Sequence, residues 1–304
     1  MIRPSLTHTI RELRLSGLLS SLEVRLAEAT GNRLDHAEFL ELVLRDEVAV
    51  RTSRQVQRRT RAAMFRECKS LDEFDFAFNT SIPRREIYDL ATCQFIRQKA
   101  DVLFLGPPGV GKSFLAQALG QQAIKSGFIV LYRSIFDLAR DFLIEPPPDQ
   151  PDKILGRYLK PDLLILDDMG MKQLPGRSGE HLLEIVMRRH ENRSTIMTSN
   201  RPLEDWAKLI GDAPAATAIL DRFLQHAQLI SITGRSYRLQ RSGRPPQVEH
   251  GAVKAEYSSL QDGPHPVAAA IPESGHGKRQ PGMEQLSMES VPCASQNTAS
   301  EDVS

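Results

Sequence analysis

At 304 residues, 40% of them hydrophobic, the chain can bury a substantial core without covalent staples. Its cysteines, Cys68, Cys93 and Cys293, are odd in number and widely spaced, with no C-x-x-C pair and no nearby histidines in metal-ligand spacing, which argues against a disulfide framework and against structural zinc. The net charge is only +1 and no apolar run has the length of a signal-peptide core or a bilayer span; a cytoplasmic setting without membrane partners is expected, and any nucleic-acid surface must be local.

Leu15, Leu18, Leu19, Leu22 and Leu26 recur at helical spacing, predicting one amphipathic helix over roughly residues 6–30 that ends near Gly31. Asp35 followed by Glu38 reads as a capping box, and Phe39, Leu40, Val43, Leu44 and Val48 form the apolar stripe of a second helix. From Arg51 the character changes. Arg51, Arg54, Arg58, Arg59, Arg61 and Arg66 follow one another with no acidic residue until Glu67, giving a basic helical face. The segment LDEFDFAFNTSIP alternates Phe74, Phe76 and Phe78 with other residues and ends in proline, which predicts an extended connector lying on the next domain. The expected division is a helical domain over 1–70, a second domain over 71–240 with 71–83 as its connector, and a tail over 241–304.

Past the connector, strand and helix patterns alternate. Strands are expected at Asp101–Leu105, Phe128–Tyr132, Leu163–Asp167, Thr195–Thr198 and near Leu229–Ile232, with helices after Lys112 and near Glu180–His190. This is an α/β pattern: a parallel sheet with helices on both faces. After about Arg241 the chain is rich in Pro, Gly and Ser, and this composition predicts disorder.

The run DVLFLGPPGVGKS sets a buried strand directly before G-x-x-x-x-G-K-S and an apolar helix directly after it. Gly106, Gly109 and Gly111 permit backbone conformations that turn successive N–H groups inward, and Pro107, Pro108 and Val110 complete a cradle for the phosphates of ATP or GTP. Lys112 is expected to reach the β- and γ-phosphates and the Ser113 hydroxyl to ligate Mg²⁺, under the dipole of the following helix. In DLLILDDMG, Asp167 ends a strand taken to lie beside the phosphate-loop strand, where a Mg²⁺ partner belongs, and Asp168 is placed to polarise the attacking water. The next strand ends in TIMTSNR, so Asn200 stands at the mouth of the sheet, able to orient water. In isolation, Arg222 in AILDRFLQHA reads as an exposed helix arginine.

These motifs, with the late GRSYRL, occur in the order and spacing of AAA+ ATPases. More narrowly, the chain resembles the IstB-like group, helper ATPases of an insertion-sequence transposase family related to DnaC helicase loaders. The resemblance runs over roughly residues 5–240 and includes the connector FDFAFNTSIPRREI. It implies a P-loop NTPase that binds ATP and Mg²⁺, assembles head to tail as a homo-oligomer on duplex DNA and recruits or activates a transposase. By position, Lys112 and Ser113 match the Walker A pair, Asp167 and Asp168 the Walker B pair, Asn200 the sensor and Arg222 the arginine finger presented to a neighbouring subunit. Arg235 and Arg238 match a family segment whose role stays open. Asp168 stands where many AAA+ proteins have Glu, one methylene longer, which suggests slow hydrolysis suited to an assembly switch. The family has no separate C-terminal lid, and the polar, proline-rich tail agrees.

Within a nearly neutral chain the arginine cluster is a local feature, and Arg51, Arg54, Arg58, Arg59 and Arg61 are expected to contact the DNA backbone. The alternatives are a loader that grips a replicative helicase, and a nucleotide-gated scaffold whose basic helix binds protein. A small-molecule kinase is disfavoured, because no acceptor-binding insertion separates the motifs.

Overall fold

The structure is a computed structural model that describes residues 3–143, 153–169, 178–210 and 213–238, all within one unit, Met1–Gln247. The tail expected over 241–304 lies outside the described residues.

Three helices open the chain: α1 (Pro4–Glu12), α2 (Ser16–Asn32) and α3 (His36–Ala63). The single helix expected over 6–30 is two, because Arg14 takes a left-handed conformation (φ 55°) that ends α1 and turns the chain. The turn lets Ile10 join Leu18, Leu22 and Val43 in one small core. Gly17 then lies so close to α3 that an added Cβ would stand 2.8 Å from Val50. There the buried Glu47 carboxylate accepts the Gly17 and Leu18 N–H groups at 2.6 and 3.0 Å, capping α2 from across the hairpin and holding its own pKa low. The capping box of α3 is present as read: Asp35 accepts from Ala37 and Glu38, and Glu38 accepts from the Asp35 N–H. Its arginine-bearing half continues the same helix and packs against the strand and helix described next.

After a short 3-10 turn at Leu71–Glu73 come α4 (Arg84–Ala91) and α5 (Gln94–Arg97). The sheet follows: β1 (Asp101–Leu105), α6 (Lys112–Lys125), β2 (Val130–Ser134), α7 (Ile135–Leu143), α8 (Lys153–Leu159), β3 (Leu163–Met169), α9 (Ser178–Arg189), β4 (Ser194–Ser199), α10 (Trp206–Ile210), α11 (Ala213–Gln225) and β5 (Ala227–Ser231). All pairings are parallel, in the order β2-β3-β4-β1-β5. α3 rests on β2 and α6.

Burial on both faces is the reason β1 and β3 read as continuous apolar runs, while β5 at the sheet edge is mostly exposed. Val102, Phe104, Tyr132 and Ile165 face one core with α4 and α6, while Leu103, Leu131, Leu164 and Leu166 face the other with α7, α9 and α11. The order also corrects one sequence expectation: β3 does not adjoin β1, since β4 lies between them. The acid pair reaches the phosphate loop because α6 crosses over the sheet to β3. β1, β3 and β4 all end at the same carboxyl edge, where open parallel sheets bind ligands.

Candidate functional site

The loop from Gly106 to Gly111 joins β1 to α6. Gly109 needs φ 84°, and a Cβ there would stand 2.0 Å from Ser236 Oγ, so only glycine fits. At Gly106 a Cβ would lie 2.0 Å from the Ile232 carbonyl oxygen. The Lys112 ammonium folds back to donate to the Gly106 and Pro107 carbonyls, each at 2.8 Å. Burial pushes its pKa down to about 8, against the pull of Asp167 and Asp168. The loop therefore holds a desolvated cation short of anionic partners.

Asp167 is fully buried at the end of β3 and accepts three hydroxyls: Ser113 Oγ at 2.8 Å, Tyr132 OH at 2.5 Å and Thr198 Oγ1. The Tyr132 hydroxyl is held protonated, its pKa raised by burial and by that carboxylate. One residue on, the β3–β4 register shifts between Leu166 and Met169, and Asp168 adopts φ 63°. Its N–H donates to Thr198 Oγ1 at 3.1 Å, and its side chain pairs with Arg66 at 2.8 Å. The bulge thus sends the two neighbouring carboxylates to different partners. The Ser113 hydroxyl and the Asp167 carboxylate, oxygen donors 2.8 Å apart beside Lys112, are a hard-ligand pair that suits Mg²⁺ completed by water and phosphate oxygens.

At the tip of β4, Ser199 Oγ accepts the Arg201 N–H at 3.1 Å and turns the chain. Asn200 Oδ1 there is buried and finds no hydrogen-bond partner among the described residues. A buried amide oxygen left unpaired costs free energy, which suits a group kept for a water or substrate.

In front of the loop lies a cavity of about 460 Å³, within the range of small-molecule sites. Val110, Lys112, Ser113 and Phe114 line one side. Phe74, Phe78 and Asn79 of the connector, with Tyr237 and Arg238, line the other. The connector is pinned there: Asn79 Nδ2 and Ser81 Oγ each donate to the Thr233 carbonyl at 2.7 Å, Phe78 meets Tyr237 edge-on, and the Tyr237 N–H donates to the Gly109 carbonyl at 3.0 Å. Aromatic rings beside a phosphate loop are apolar, flat surfaces of the kind that hold a nucleobase.

A family model described as IstB-like ATP binding protein matches residues 8–244. The chain belongs to that family. Among its relatives, a protein of Geobacillus stearothermophilus named for insertion sequence IS5376 and for ATP binding is 34% identical over 212 residues, 70% of this chain and 84% of the relative. One from Pseudomonas aeruginosa, named for insertion sequence IS21 and ATP binding, is 34% identical over 231 residues, 76% of this chain and 87% of the relative. Among solved structures, the DnaC helicase loader is similar with a TM-score of 0.41 and 26% identity, covering 51% of this chain and 91% of that one.

In this IstB-like chain, the loop residues Gly106–Ser113, Asp167, Asp168 and Asn200, all read from sequence, gather at the carboxyl edge of the sheet. Arg222 does not join them: it lies exposed on the last turn of α11 and lines a separate surface depression with Thr217, Leu220 and Gln225. The arginines of α3 divide. Arg51 pairs with Glu47 at 2.6 Å, Arg54 reaches Ser16 Oγ at 2.5 Å and Arg59 donates to the Gly127 carbonyl. Arg58 and Arg61 are exposed and make no hydrogen bond or ion pair among the described residues. Sequence reasoning missed Tyr132, Thr198, Arg66, Phe74, Phe78 and Tyr237 as parts of the site. The clue the sequence offers to the aromatic wall is the Phe-rich connector, together with Tyr237 in GRSYRL.

Proposed function

We propose that the chain is an ATP-dependent helper that assembles on duplex DNA as a homo-oligomer and recruits or activates an insertion-sequence transposase. One observation carries this reading. Arg51, Arg54, Arg58 and Arg61 recur at i, i+3, i+7 and i+10, so they share one exposed face of α3, and the same helix packs on α6, the helix that begins with Lys112. A cationic stripe on the helix that backs the phosphate loop fits a surface where DNA contact and nucleotide state are linked.

In this reading Lys112 and the loop N–H groups bind the β- and γ-phosphates of ATP, and Ser113 and Asp167 hold Mg²⁺, which neutralises phosphate charge when bound. Asp168 orients and deprotonates the attacking water, helped by the free Asn200 oxygen. Arg222 faces outward in its own subunit and acts on the ATP of a neighbour. The short Asp168 side chain keeps hydrolysis slow, so ATP drives assembly and hydrolysis resets it.

The test is assembly itself. With ATP, wild-type protein should shift duplex DNA and run as an oligomer in gel filtration, and Lys112→Ala should do neither. Identical behaviour of the two proteins would refute the switch. Arg58→Glu with Arg61→Glu should weaken DNA binding while ATP affinity is kept, and unchanged DNA affinity would point instead to a protein-binding scaffold.

A further inference from the structure

At the amino edge of the sheet, opposite the phosphate loop, His190 directly follows α9, Glu191 stands next to it, and His226 lies between α11 and β5. One ligand atom from each residue lies within 4.8 Å of the others. His226 Nε2 is 3.1 Å and His190 Nε2 is 3.8 Å from the same Glu191 oxygen, Oε1. Two ligand atoms on a tetrahedral zinc ion stand about 3.4 Å apart, given bonds near 2.0–2.1 Å. The two imidazole centroids are 5.2 Å apart. Rings that share such an ion through Nε2 have centroids about 5 Å apart.

The backbone that carries these groups is already held. The His190 N–H donates to the Val186 carbonyl at 2.9 Å, and the His226 carbonyl accepts the Asp101 N–H at 3.1 Å. Arg189, buried beside them, donates to the carbonyls of Tyr158 and Pro161 at 2.9 Å. Glu191 takes the left-handed conformation, φ 58°, that turns the chain after α9. The His190 side chain is only 14% exposed, and its Nδ1 is buried with no hydrogen-bond partner among the described residues. Its Nε2 is too far from Glu191 for a hydrogen bond. The Nε2 atoms of His190 and His226 thus converge on one Glu191 oxygen, the arrangement a shared cation needs.

We propose that His190, Glu191 and His226 form a binding site for one divalent transition cation of the zinc class, with water in the fourth position. Two imidazoles and a carboxylate favour Zn²⁺ or Co²⁺ over Mg²⁺, which prefers an all-oxygen shell. The ion joins the α9–β4 turn to the end of α11, the helix that carries Arg222. The site shares no residue with the ATP cavity and stands independently of the proposed function.

The full chain, stripped with a chelator and kept in excess Mg²⁺, is titrated with Zn²⁺ by calorimetry and with Co²⁺ by visible absorption. Wild type should bind one more Zn²⁺ per chain than His226→Ala, gain thermal stability with it, and give the intense absorption of tetrahedral Co²⁺. Glu191→Gln should weaken that binding about tenfold or more, as the loss of a ligand should. Both substituted side chains are partly or mostly exposed, at 44% and 66%, and circular dichroism checks that the variants fold. Equal zinc stoichiometry and affinity in wild type and His226→Ala would overturn the proposal, as would a Co²⁺ spectrum of octahedral type.

Discussion

The Arg66 guanidinium lies 2.8 Å from the Asp168 carboxylate, a contact between groups 102 residues apart in sequence. Arg66 lies three residues past the end of α3, next to Phe65, which packs against Tyr132, and its own guanidinium sits 6.0 Å from the centre of the same ring. The residue proposed to activate water is thus tied to the helix proposed to meet DNA. Half of the Arg66 side chain is in solvent, so the pair is worth about 1 kcal/mol or less. Such a contact exchanges easily. Arg66 occupies an Asp168 oxygen and competes with the attacking water for it, so Arg66→Ala should speed ATP hydrolysis by up to about fivefold, with unchanged nucleotide affinity. Arg66→Lys should stay near wild type. Slower hydrolysis in Arg66→Ala would mean that the arginine orients Asp168 for the reaction.

Thr198 serves both acids through one hydroxyl, accepting the Asp168 N–H and donating to Asp167 Oδ1. Thr198→Val keeps the shape but strands that N–H at a register shift, at a cost of about 1–3 kcal/mol in unfolding free energy. Hydrolysis should fall as well, since the bulge that aims Asp168 loses its anchor. Thr198→Ser should recover most of both, in denaturant titration and in steady-state rate. Full activity in the valine variant would remove Thr198 from the site.

What was legible in the sequence was what is local along the chain. The phosphate loop is a strand, glycines and a helix within a few residues, and the acids, Asn200 and the capping box at Asp35 and Glu38 are equally compact signals. The Arg14 break leaves no mark because the leucine spacing runs straight through it; the turn shows only in the packing that brings Ile10 beside Val43. Thr198, Tyr132 and Arg66 were not legible for a different reason. Each acts on Asp167 or Asp168 from another strand or segment, and a hydroxyl in TIMTSNR or an arginine among arginines looks the same whether or not a carboxylate faces it. The position of β3 was misjudged likewise, because strand order is set by crossovers and leaves no mark in a strand's own residues. His190 and His226 are 36 residues apart in sequence and meet only when α9 and α11 pack together.

Lys112 gives nucleotide binding a pH dependence of definite sign. Burial brings its pKa down to about 8, and the phosphates of ATP restore the charged form. Binding above that pH therefore takes up a proton, so affinity weakens as pH rises. Between pH 7.5 and 9 the dissociation constant should increase about eightfold. Calorimetry in two buffers of different ionisation enthalpy measures the proton directly. A dissociation constant that is flat over this range would show that the ammonium is already charged before ATP arrives.

Asp101 begins β1 nearly buried, its carboxylate accepting the Thr195 N–H at 2.6 Å. Burial pushes its pKa up to about 7 from an ordinary 3.8, only partly countered by that N–H and by Arg189. Because the folded-state value lies above the unfolded one, the folded chain holds the proton more tightly between those two pH values. The group's contribution is therefore fully favourable below about pH 4 and is lost progressively as pH rises to about 7. Asp101→Asn removes the ionisation and keeps an oxygen acceptor for Thr195. Measured against wild type by denaturant unfolding, the variant should gain stability steadily from pH 4 to pH 7, by about 4 kcal/mol at most. Were the difference constant with pH, the nearby Arg189 charge would be compensating the Asp101 charge fully.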